Sequence, residues 1–118
     1  MSEAEIREIV KTYICSATFG QEDRLRALLH PNFQTAGQIG DAEHWFDRDA
    51  AIASCIRNAQ PPEAPMPIWS IKSMTIFAQS AAVVVESRYN EALFTEILTF
   101  LLCAGDWRLA FKSFEISA

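Results

Sequence analysis

The chain has 118 residues, half of them hydrophobic, and a formal net charge of −5. That length suits one domain with enough apolar material for a core that needs no disulfide or metal staple. The acidic balance, without a basic cluster, argues against a nucleic-acid backbone or an anionic membrane surface as partner. Three cysteines, Cys15, Cys55 and Cys103, are widely spaced and form no C-x-x-C pair. They read as packed thiols in a reducing compartment. The start, Ser2-Glu3-Ala4-Glu5, is acidic and leads into an amphipathic pattern, unlike a secretory signal. The longest apolar runs, 81–85 and 100–104, are too short to span a bilayer. These readings place the chain in the cytoplasm.

Ile6, Ile9, Val10, Tyr13, Ile14 and Ala17 recur at helical spacing and predict a first helix with one apolar stripe. Ser2 and Glu5 form a capping-box pattern, Glu3 and Arg7 sit one turn apart, and Gly20 stands where a left-handed residue stops a helix. A second, short helix spans 22–29, burying Leu25, Leu28 and Leu29. His30-Pro31 ends it, because proline lacks a donor and disfavours helical geometry before it. Residues 33–40 predict a strand with a turn at Gly37 or Gly40, 41–44 a loop, and Trp45-Phe46 a short extended piece. Asp47 caps a third helix over 48–58, on which Ala51, Ile52, Cys55 and Ile56 share a face. The stretch 60–67 holds four prolines and reads as an irregular connector.

The second half changes character. Segments 68–77, 81–89, 94–103 and 107–116 are rich in β-branched and aromatic residues and predict four antiparallel strands. Their hairpin tips fall at 78–80, 90–92 and 104–106. Phe94, Leu98, Phe100 and Leu102 lie on one side of their strand, with Ile97, Leu101 and Cys103 on the other. A sheet apolar on both faces must be covered on both. Three helices cover one; a second copy of the chain is the economical cover for the other, giving a homodimer through the sheet.

This arrangement resembles the NTF2-like superfamily and, more narrowly, the putative lumazine-binding family, close to the SnoaL-like polyketide cyclases. The resembling residues are Tyr13, Gly20, Asp23, residues 25–33 with the His30-Pro31-Asn32 junction, and residues 46–52. Phe94-Thr95-Glu96-Ile97-Leu98, Gly105-x-Trp107-Arg108-Leu109 and Lys112-x-Phe114 complete the match over almost the whole chain. The resemblance implies an α+β cone: three helices packed on a curved, mostly antiparallel sheet that encloses a pocket. The chain departs from the family pattern at Gln21-Glu22-Asp23, at Asn32, and at Glu96, where the family usually carries aspartate.

Several residues bear on chemistry. Tyr13 is either a core tyrosine or, as the resemblance to NTF2-like isomerases implies, a hydrogen-bond donor to a substrate oxyanion. His30 either interacts with a negative helix end or acts as a general base at the pocket mouth. His44 reads as a solvated loop residue. Trp45 and Trp69 flank the third helix and its connector, where aromatics line a cavity entrance or pack in the core. Trp107 reads as core or interface. Glu86, Arg88, Glu96 and Lys112 are charged residues within strands. Alternation puts Glu86 and Arg88 on one face, with Glu96 as a cross-strand neighbour; they form an ion-pair network or supply a proton-shuttling carboxylate.

Two functions follow. One is a binding module for a small, largely apolar, heteroaromatic ligand contacted by Tyr13, Trp45, Ile52, Trp69 and Lys112. The other is a cofactor-independent isomerase, dehydratase or cyclase using Tyr13, His30 and Glu96 for proton transfer. Two unrelated histidines and no thiolate pair signal no metal, and nothing signals a cofactor.

Overall fold

The computed structural model describes residues 2–89 and 91–117. Helix α1 (Glu3–Thr18) starts on a complete capping box: Ser2 Oγ accepts from the Glu5 amide at 3.3 Å and the Glu5 carboxylate accepts from the Ser2 amide at 3.4 Å. Glu3 and Arg7 do not come within ion-pair distance. The chain turns at Gly20, whose φ is +61°. A Cβ there would also lie 2.8 Å from Ala59 Cβ, so glycine serves both the left-handed turn and close packing against the end of α3.

Helix α2 (Glu22–Leu28) ends one residue earlier than expected, and strand β1 (Leu29–Ile39) begins at once and runs through Pro31. Proline is tolerated because the pairing of β1 with β6 is interrupted between Leu29 and Gln34, so its missing N–H costs no ladder bond. Strand β2 (Ala42–Asp47) takes in most of the segment expected as a loop. The hairpin turns at Gly40, with φ +60°. Asp47 Oδ1 accepts from the Ala50 amide at 2.8 Å and caps α3 (Arg48–Arg57).

Strands β3 (Ile68–Ile76), β4 (Ser80–Tyr89), β5 (Ala92–Cys103) and β6 (Asp106–Ser117) complete the sheet. The expected tip at 90–92 includes Asn90, which lies outside the described residues. At the β5–β6 tip both Ala104 and Gly105 have positive φ, as a two-residue hairpin requires. The six strands run in the order β2-β1-β6-β5-β4-β3, antiparallel except for the parallel β1–β6 pair. The three helices pack on one face, around Ile6, Val10, Leu25, Phe33, Leu98 and Leu109.

Two bulges fix which side chains meet the helices. In β6 the register skips Ala110 between Leu109 and Phe111. Trp107 and Leu109 therefore face inward, and beyond the bulge so do Lys112 and Phe114. In β3 the skip at Lys72 keeps Trp69 and Ile71, then Met74 and Ile76, against the core. Bulges bend and twist the strands that carry them, which gives the sheet its concavity. No helix among the described residues is long and apolar enough to cross a membrane.

Candidate functional site

Between the helices and the concave face lie two lobes of a cavity, one of about 230 Å³ and one of about 200 Å³. Both are bordered by Tyr13, Ser54, Cys55, Phe94, Glu96 and Lys112. The larger lobe opens among the ends of α1 and α3 and strand β4, where Thr18, Asn58, Gln60, Ser87 and Tyr89 add polar groups to a mostly apolar wall. The smaller lobe is walled by Phe33, Phe46, Phe94 and Phe114, with Thr35 as a hydroxyl among them. Glu96 and Lys112 are the charged residues among those lining either lobe.

These two charges and Tyr13 form one cluster. Lys112 Nζ donates to the Tyr13 hydroxyl at 2.8 Å, and that hydroxyl donates to Glu96 Oε2 at 3.1 Å. Lys112 Nζ is 3.4 Å from the same carboxylate oxygen and 5.2 Å from the centre of the Phe114 ring, in cation–π range. Each member comes from a different element. The stripe of α1 presents Tyr13, alternation in β5 presents Glu96 beside Phe94 and Leu98, and the bulge in β6 turns Lys112 inward.

Burial, then the Glu96 charge, pushes the Tyr13 hydroxyl well above the ordinary tyrosine range, with Lys112 pulling the other way. Burial works against the Lys112 charge, but Glu96 and Tyr13 more than offset it, holding the ammonium above the ordinary lysine range. Burial likewise raises the Cys55 thiol, opposed by Lys112. At neutral pH the cluster thus offers an ammonium and a neutral phenol, with the Glu96 side chain as the acceptor between them. A phenol polarised by an adjacent cation donates a hydrogen bond, and a carboxylate beside it accepts a proton.

The other expected site residues lie elsewhere. His30 stands at the α2–β1 junction, where its Nδ1 accepts from the Asn32 amide at 3.0 Å; it borders neither lobe. Trp45 is 63% exposed and pairs with Ala36 on the outer face of the sheet, because its neighbour Phe46 takes the inward position. Ile52 is fully packed in the core and Trp69 lies against it, so neither borders the cavity. Glu86 turns outward to Lys72 at 3.2 Å, so Glu96 does not join it; the partner of Glu96 is Lys112. Reading single residues missed Thr35, Phe114 and Cys55 as cavity walls. Cys55 had a signal, since it shares a helical face with Ile52; Thr35 had none in an otherwise ordinary strand. Among the described residues no three His, Cys, Asp or Glu side chains lie close enough to hold a metal ion.

A six-stranded sheet wrapped on three helices around such a cavity is the NTF2-like architecture. The chain resembles an NTF2-like protein of unknown function from Silicibacter pomeroyi DSS-3, at 28% identity over 99% of this chain and all of that one, with a TM-score of 0.89. An NTF2-like protein of unknown function from Shewanella baltica OS155 superposes with a TM-score of 0.82 at 13% identity, covering 100% and 98% of the two chains. A ketosteroid isomerase-like protein from Erwinia carotovora atroseptica SCRI1043 does so at 0.75 with 14% identity, covering 100% and 99%. Within that architecture the chain belongs to the putative lumazine-binding family, whose pattern matches residues 1–115. No curated protein matches the sequence significantly.

Proposed function

We propose that this chain is a small-molecule-binding protein, acting as one domain in the cytoplasm, whose ligand sits between the helices and the concave sheet. The observation that carries the reading is the Tyr13–Glu96–Lys112 cluster bordering two largely apolar lobes. A buried ion pair costs desolvation that an apolar pair of the same volume avoids. A core built for stability alone has no use for it; a pocket that must orient a polar group does. Native mass spectrometry of freshly purified protein tests this directly. A copurified small molecule, lost from Tyr13→Phe or Lys112→Met, is the expected result. A wild type that carries nothing and protects no cavity residue from exchange when incubated with a library of small aromatic compounds refutes it.

The second reading is proton-transfer catalysis in the same pocket: a cofactor-independent isomerase, dehydratase or cyclase. It is favoured by the phenol donor lying 3.1 Å from a carboxylate. In it Glu96 moves the proton, and the neutral Tyr13 hydroxyl, polarised by Lys112, turns its O–H from Glu96 to steady the developing oxyanion. His30 has no part in it. Once an activity is found, Glu96→Gln retaining full turnover would sink the reading.

The outer face supports a homodimer. Trp45, Ala36, Ser113, Ile97, Val84 and Ser73 form one cross-strand row over all six strands. The row is small or apolar throughout, and its Trp45 and Ile97 are both exposed in the single chain. A second copy packed sheet to sheet would bury this row, and the acidic surface leaves little room for nucleic acid as the partner instead.

A further inference from the structure

Resting on the binding reading above, we propose that the smaller lobe is a carbonyl subsite: it takes a compact ring compound whose carbonyl oxygen accepts hydrogen bonds from Thr35 and Lys112. Thr35 is 3% exposed, borders this lobe, and its Oγ1 finds no hydrogen-bond partner among the described residues. A buried hydroxyl without a partner is costly and rare in a finished structure. Thr35 and Lys112 are register partners on β1 and β6, so they stand side by side on the concave face, one strand spacing apart. Lys112 has three N–H groups; one goes to the Tyr13 hydroxyl and one toward Glu96. That leaves one N–H of Lys112 for a ligand, on the same face and the neighbouring strand as the unpartnered Thr35 hydroxyl. Two donors so placed can share one acceptor.

The charge state selects the kind of acceptor. Glu96 already balances Lys112, so a carboxylate or phosphate ligand would place a second anion beside a carboxylate. A neutral carbonyl oxygen accepts both bonds without that repulsion. The rings of Phe33, Phe46, Phe94 and Phe114 then enclose an apolar body. At about 200 Å³ the lobe exceeds the cavity of about 150 Å³ that accommodates benzene in another protein, which suits a one- or two-ring compound.

The matched probes are 1-indanone and indane, alike in shape and differing by the carbonyl. Calorimetric or ligand-observed NMR titration should give the ketone about a tenfold advantage in wild type. Thr35→Val, which keeps the shape and deletes the hydroxyl, should abolish most of that advantage and leave indane binding unchanged. Thr35→Ser should keep it. The unliganded Thr35→Val protein should melt no lower than wild type, since it loses a hydroxyl that bonds to nothing. The carbonyl stretch of bound 1-indanone in wild type, an infrared measurement that needs no variant, should move to lower frequency than in hydrocarbon solvent. Equal affinity of the two compounds, or a ketone preference that survives in Thr35→Val, overturns the subsite while indane entry still upholds the cavity. Failure of both compounds to bind also overturns it, and copurification then decides the binding reading by itself. A clearly lower melting point for Thr35→Val means the hydroxyl is bonded within the protein, and the subsite falls with it.

Discussion

The two faces of this sheet treat charge in opposite ways. On the outer face Lys72 and Glu86 meet at 3.2 Å with both side chains more than a third exposed. Such pairs contribute little, because water and salt screen them and two long side chains must be held still. On the concave face Lys112 and Glu96 meet at 3.4 Å with both largely buried, and Tyr13 bridges them. There the attraction is stronger and the desolvation cost far larger. One pair is a by-product of a wet surface. The other needs a bulge in β6 to exist at all, and a tyrosine on α1 bridges it. Both pairs bridge neighbouring strands of one sheet, β3–β4 for the outer pair and β5–β6 for the inner, so the difference lies in which side of the pleat each residue occupies.

Lys112→Met is the hardest blow to this comparison. It leaves Glu96 buried without its cation, and unfolding by denaturant should show a loss of about 3 kcal/mol. Adding Glu96→Gln should restore much of it; the outer variant Lys72→Met should cost less than about 0.5 kcal/mol. Equal losses for the two lysines would erase the distinction between the faces. Next comes Gly37, where a Cβ would run into the Phe114 backbone carbonyl oxygen and, at 2.5 Å, the Phe114 ring. Gly37→Ala should cost about 2 kcal/mol through overpacking and displace the ring from the smaller lobe, visible as altered aromatic NMR shifts. Ile97→Asp acts on the other face. It should turn a dimer into a monomer by light scattering while changing the monomer's stability by about 0.5 kcal/mol. A wild type that is already monomeric at micromolar concentration would remove the dimer.

What could be read in the sequence follows the same division. The stripe from Ile6 to Ala17 placed Tyr13 on the buried side of α1, because helical spacing survives any tertiary context. Glu96 could be put on the face of Phe94 and Leu98 by simple alternation. Alternation fails for Lys112: counted from Trp107 it points away from the helices, and only the skipped Ala110 reverses it. Nothing in Leu109-Ala110-Phe111 announces a bulge, since the device is set by pairing with β5, not by local preference. Trp45 misled for a related reason. Aromatics at that place suggest a cavity entrance, but with 41–44 read as a loop and Trp45-Phe46 as a short extended piece there is no strand pairing from which to send Phe46 inward and Trp45 outward. His30-Pro31 does mark the end of α2, but that Pro31 then sits inside β1, in a gap of the ladder with β6, is invisible from residue 31.

The smallest effect asked of the concave face concerns the Tyr13 hydroxyl itself. Tyr13→Phe removes one donor and one acceptor, but Lys112 and Glu96 still face each other across 3.4 Å. The expected loss is therefore about 1 kcal/mol near neutral pH, the scale of one net hydrogen bond. The pH dependence gives a sharper reading. Burial and Glu96 raise the Tyr13 pKa in the folded state above the unfolded value, which is about 10. The stability tied to the neutral phenol is thus complete below pH ~10 and is lost as the pH rises beyond it, because the unfolded chain releases this proton first. Lys112 is shifted in the same direction, so its contribution also fades only in alkali, and both proteins retain it. The difference in urea midpoint between wild type and Tyr13→Phe should accordingly shrink from about pH 10 upward. A difference that stays constant or grows through that range would mean the hydroxyl is not held neutral between the two charges. A ligand that binds Tyr13→Phe about tenfold more weakly, with any turnover unchanged, would mark the hydroxyl as an anchor; a fall in turnover with affinity intact would move it to the proton-transfer reading.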